Sequence, residues 1–116
     1  MRSVWKEKVY LQPIEMVFSA LLDLMELQKG EEILNDPLSG KLHFKITMYG
    51  FIMELRFTIL EMDWNRCGVT LEIPEDDSHG NEDGDDLRYL EDTVRREFAL
   101  LESMLLIGTP FEVSYS

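Results

Sequence analysis

Twelve consecutive residues, Glu75-Asp76-Asp77-Ser78-His79-Gly80-Asn81-Glu82-Asp83-Gly84-Asp85-Asp86, hold seven of the chain's carboxylates. Clustered carboxylate oxygens are the donor set that hard divalent cations such as calcium prefer. The helix–loop–helix calcium pattern needs oxygen ligands at loop positions 1, 3, 5 and 12 around a glycine at position 6. With Gly84 as that glycine, Asp83 and Asn81 supply two ligands, but His79 and Leu90 fall on the first and last positions. Two ligands fail, so the segment reads as a solvated loop of mutually repelling charges, and no metal is assigned to it. Its last acids, Asp85 or Asp86, are placed to cap a following helix and to favour its positive end.

The remaining reactive side chains are few. His43 and His79 are far apart in sequence, and Cys67 is the single thiol. Cys67 falls on the apolar side of an alternating strand, where a thiol behaves as a small hydrophobe, and no cationic neighbour is in view to activate it. The chain has no nucleophile elbow, phosphate-binding loop or metal-ligand spacing. The expectation is a non-enzyme with no catalytic residue and no cofactor.

The elements that carry these groups can be read from periodicity. Val4 to Leu11 predicts a strand with Trp5, Val9 and Leu11 on its apolar face and Lys6 and Lys8 on the other. Pro13 opens a helix that runs to about Lys29, with Gly30 as its left-handed cap. That helix is apolar nearly all round, with Glu15, Ser19, Asp23 and Glu26 as a narrow polar strip. One sheet face needs a much narrower apolar stripe. The surplus is covered either by a second helix or by another molecule. Three alternating runs follow: Leu42-Phe44-Ile46-Met48, Phe51-Met53-Leu55-Phe57-Ile59 and Cys67-Val69-Leu71-Ile73. Their short connections, Tyr49-Gly50 and Asp63-Trp64-Asn65-Arg66, make an antiparallel meander. Glu32 to Leu34 reads as a short edge piece. The outer face, with Lys41, His43, Lys45, Glu54, Arg56 and Glu72, is expected to be wet and to pair its charges across strands. From Leu87 to about Ile107, a stripe of Leu87, Leu90, Val94, Phe98, Leu101 and Leu105 predicts a long helix, with Glu91–Arg95 and Asp92–Arg96 as surface pairs. The tail alternates Phe111, Val113 and Tyr115 with polar residues, as a strand does.

A chain of 116 residues that is 45% hydrophobic fits one domain, residues 1–116. Nothing in it approaches the ~20 apolar residues of a membrane span, and its start does not read as a signal peptide. The lone cysteine suits a reducing, cytoplasmic setting. With 23 acids against 11 bases, the net charge of −12 argues against nucleic acid and anionic membranes as partners, and for basic ones.

The order β-α-β-β-β-α, with or without a C-terminal β, predicts an α+β fold: a curved antiparallel sheet with two helices packed on one face. The first strand leading into Gln12-Pro13-Ile14-Glu15-Met16-Val17-Phe18, then the meander and the long closing helix, resembles in element order the helix-grip superfamily of START and polyketide-cyclase-like proteins. That resemblance implies a cavity under the closing helix for lipids, hormones or polyketides, in an abbreviated form, and assigns no residue. Size, acidity and spare apolar helix surface are also similar to the small acidic chaperones of bacterial secretion systems, whose element order differs. The main functional expectation is a non-enzymatic interaction module acting as a homodimer, or with another protein partner. Its contact candidates are Met16, Ala20, Leu24, Leu27, Phe111, Val113 and Tyr115. The alternative is a helix-grip-type binder of a small apolar ligand, to which seven methionines, adaptable fillers of irregular cavities, would be suited.

Overall fold

The computed structural model describes residues 3–48, 50–74 and 84–107. The chain folds as β1 (Ser3–Tyr10), α1 (Ile14–Leu27), β2 (Glu31–Asp36), β3 (Lys41–Met48), β4 (Phe51–Asp63), β5 (Arg66–Pro74) and α2 (Gly84–Ile107). The strands form one antiparallel sheet in the order β1-β5-β4-β3-β2. This is the α+β class expected. β2 is longer than the edge piece anticipated and is bulged between Glu32 and Leu34. The acidic segment up to residue 83 and the tail from 108 lie outside the described residues.

The meander registers as its alternation requires. Leu42, Phe57 and Leu71 sit side by side across β3, β4 and β5, and all three are fully buried. The Phe44 and Phe57 rings stack with centroids 5.9 Å apart. Burial of each such side chain contributes about 1.5–3 kcal/mol, which makes this row the centre of the core. Both helices cover this face: α1 lies against β3 and β4, and α2 against β5 and β1, with the helices in contact. The surplus apolar surface of α1 is therefore largely consumed inside the chain. Val17, Phe18, Ala20, Leu21, Leu24 and Met25 are buried, while the polar strip Glu15, Ser19, Asp23 and Glu26 faces out.

The first strand is turned over relative to expectation. Trp5 is 63% exposed and Val9 52%, on the open face of the sheet. Val4, Lys6, Lys8 and Tyr10 stand opposite Ile73, Leu71, Val69 and Cys67, the inward residues of β5. Pairing fixes this parity: a strand added beside β5 must put the residues opposite those four on the same face. The apolar bulk of Trp5 and Val9 loses to that constraint, and Lys8 and Tyr10 go under α2.

The end of α1 also differs in detail. Lys29, not Gly30, has the left-handed backbone, with φ 56°. Gly30 N–H donates to the Met25 carbonyl at 2.8 Å and Lys29 N–H to the Glu26 carbonyl at 3.0 Å, the double closure of a Schellman end. Gly30 is needed for another reason. A Cβ there would lie 2.7 Å from Phe44 Cδ2 and 2.9 Å from Met25 Cγ. The glycine lets the chain cross tightly over the core as it enters β2.

Candidate functional site

The Schellman end fixes Gln28 at the corner where α1, α2 and β3 meet. A groove of about 230 Å³ opens there, lined by Leu27, Gln28, Ile46, Thr47, Met48, Arg96 and Leu100. The centre of the space beneath the helices is filled by Phe44, Phe57, Phe98, Leu21, Leu24 and Leu101. The opening is thus displaced to one end of the helix pair.

Behind the groove lies a buried carboxyl. Glu97 occupies the apolar stripe of α2 and is 0% exposed. Gln28 Nε2 donates to Glu97 Oε1 at 2.8 Å, whereas Glu97 Oε2 has no hydrogen-bond partner among the described residues. Burial raises the carboxyl above the ordinary glutamate range, against the smaller opposing effects of the Gln28 hydrogen bond and the Arg96 charge. Arg96 Nη1 stands 3.6 Å from Glu97 Oε2, close enough to attract it but too far to hydrogen-bond it well. Arg96 instead donates to Gln28 Oε1 at 3.3 Å and approaches Met48 Sδ at 3.6 Å. Next to them, Thr93 donates back to the Tyr89 carbonyl at 2.8 Å and points its hydroxyl toward the sulfurs of Met48 and Met53. The surface pairs expected on α2 are rearranged: Asp92 takes Arg95 at 3.2 Å, which leaves Arg96 to the groove.

A second polar cluster ties β1 to α2. Glu102 Oε2 accepts from Lys8 Nζ at 2.9 Å and from the Tyr10 hydroxyl at 2.8 Å, and the Lys8 ammonium lies 5.4 Å from the Phe98 ring centroid. Burial, then the hydrogen bond and charge of Glu102, push the Tyr10 phenol far upward. This cluster holds an edge strand to a helix, and its acceptor is already engaged.

The groups singled out by sequence fall elsewhere. Cys67 is buried, and burial pushes its thiol up to about 11, so it stays protonated. His43 lies on the outer face, opposite Arg56 across β3 and β4. Partial burial and the Arg56 charge lower its pKa. On that face Arg56 binds Glu54 at 3.0 Å along its own strand, while Glu72 stands opposite on β5. Asp85 and Asp86 fall in the first turn of α2, which begins at Gly84. Of the contact candidates, Ala20 and Leu24 are buried in the chain's own core, and Met16 and Leu27 are exposed, Leu27 on the groove. Phe111, Val113 and Tyr115 lie outside the described residues. Glu97 and Gln28 were not singled out and Arg96 was read only as a surface partner of Asp92, yet the spacing of Glu97 from Val94 and Leu101 puts an acid inside the helix stripe.

No family model matches the chain, and no curated protein is significantly similar to it in sequence. Solved structures do match. The di-domain aromatase/cyclase BexL from the BE-7585A biosynthetic pathway superposes with a TM-score of 0.72 at 14% identity, over 95% of this chain and 48% of that one. This chain thus spans about half of BexL. Ara h 8.0201 gives 0.58 at 12% identity over 90% of this chain and 97% of that one. TTHA0849 from Thermus thermophilus gives 0.51 at 14% over 93% and 99%. At such identities the likeness is one of fold. It bears out the helix-grip resemblance in three dimensions. It also overturns the main functional expectation, a non-enzymatic homodimeric interaction module. The fold is shared with an aromatase/cyclase, and much of the apolar α1 surface on which that expectation rested is buried in the chain itself.

Proposed function

We propose that this protein binds a small apolar ligand at the corner of α1, α2 and β3. The observation that carries the reading is the groove itself: an opening between the closing helix and the sheet of a helix-grip fold, walled by Leu27, Ile46, Met48 and Leu100 and edged by Gln28, Thr47 and Arg96. Apolar walls with a few convergent polar groups are the usual make-up of a small-molecule site. Its volume of about 230 Å³ is below the ~300–1,000 Å³ of a drug-sized pocket, so the ligand is small or enters by one end. Among the described residues the lining side chains offer one hydroxyl, on Thr47, and neither imidazole nor thiol. That favours binding over covalent chemistry, although BexL is an aromatase/cyclase by name.

Titration with 1-octanol, followed by methyl NMR, tests the reading. The methyl signals of Leu27, Ile46, Met48 and Leu100 are expected to shift together and to saturate. Shifts confined to the exposed Leu60 and Met62 on the open face, or none at all, would defeat it.

A further inference from the structure

We propose that the groove selects an apolar molecule that ends in a carboxylate, with Arg96 as the anchor for that group. This rests on the ligand-binding reading and adds the chemical class of the ligand. Among the described residues seven side chains line the groove, and of these Arg96 alone is charged; it is 47% exposed at the rim. Among the described residues its hydrogen-bond partners are neutral: an amide oxygen of Gln28 at 3.3 Å and the thioether of Met48 at 3.6 Å, a weak acceptor. A guanidinium has five N–H donors in a fork that matches a carboxylate.

The acids near Arg96 do not claim it. Asp92, one turn earlier, is taken by Arg95. Glu97 is wholly buried and stands 3.6 Å away, too far to hydrogen-bond the guanidinium well. The remainder of the groove is suited to hydrocarbon. At ~30 Å³ per water molecule its volume equals about eight waters, which sets the occupant at on the order of ten non-hydrogen atoms. The net charge of −12 opposes any anion at long range, so the preference arises from contact with Arg96 and not from steering.

Octanoate and 1-octanol have the same chain length and differ in charge. Calorimetric titration of the intact protein at neutral pH is expected to show octanoate binding about three- to tenfold more tightly than the alcohol, the gain of a charge-assisted pair at a half-exposed site. Arg96→Gln is expected to abolish that ratio, and Arg96→Lys to restore part of it. Thermal unfolding of each variant checks that it is folded. Equal binding of the two compounds by the wild-type protein, or an undiminished preference in Arg96→Gln, would overturn the carboxylate assignment and leave the apolar-ligand reading standing. Failure of both compounds to bind would overturn the two together.

Discussion

Glu97 is protonated more readily folded than unfolded, because burial opposes its charge. Below the unfolded pKa both states hold the proton, and the buried carboxyl makes no pH-dependent difference. As pH rises from there, the unfolded chain releases its proton first, so stability falls until the folded pKa is passed and then levels off. Glu97→Gln keeps the size and the acceptor for Gln28 without the titrating proton. Its melting temperature is expected to match the wild type at about pH 4 and to exceed it once pH rises above the ordinary glutamate range, the gap then levelling off. A constant difference from pH 4 upward would mean that Glu97 holds its proton equally in the folded and unfolded states. At this scale the sequence was legible where a side chain follows its element's pattern, as Cys67 does. It was misleading at Lys8 and Tyr10, whose facing is imposed by β5 and not by their own chemistry. Arg96 was misassigned because two acids on α2 compete for two arginines, and only the three-dimensional rotamers decide between them.

Between residues and the whole lie the joints of the elements, and Gly30 is the tightest of them. Gly30→Ala would push a methyl against Phe44 and Met25, where the neighbouring atoms are side chains in a packed core. A cost of about 1–3 kcal/mol is expected, typical of overpacking, and is measurable by denaturant unfolding. Because Phe44 lies on β3 beside the groove strand residue Ile46, the methyl resonance of Ile46 should move as well. An unchanged midpoint would show that the end of α1 shifts freely. The meander and both helices were legible because each combines an unbroken period with a turn or cap signal. β2 was only partly so: its bulge interrupts the alternation, and its residues are almost all exposed, so burial leaves little pattern to read. The groove was not legible at all. It depends on how the end of α1 meets the middle of α2, a relation between segments nearly seventy residues apart.

The complete molecule brings together contacts of very different sequence span. β2, β3, β4 and β5 follow one another through short connections, so their pairing requires only local closures. Among the described residues β1 is an edge strand whose one neighbour in the sheet is β5, reached from Tyr10 to Cys67 across roughly sixty residues. Strand order therefore implies an order in time. The meander can assemble while the amino-terminal strand is still unattached, and β1 is expected to be the last strand to dock because its pairing closes the longest loop in the sheet. Val4→Ala, at the partly buried start of β1, is expected to speed unfolding and leave the folding rate almost unchanged, whereas Phe57→Ala in the centre of the meander slows folding. Stopped-flow chevrons measure both, and an equal slowing of folding by the two changes would place β1 in the transition state. Late attachment has a further outcome. Lys8 and Tyr10 reach Glu102 only from a docked β1, so the carboxyl half of α2 acquires its clasp in the final step of assembly and is the first to lose it when the sheet begins to open.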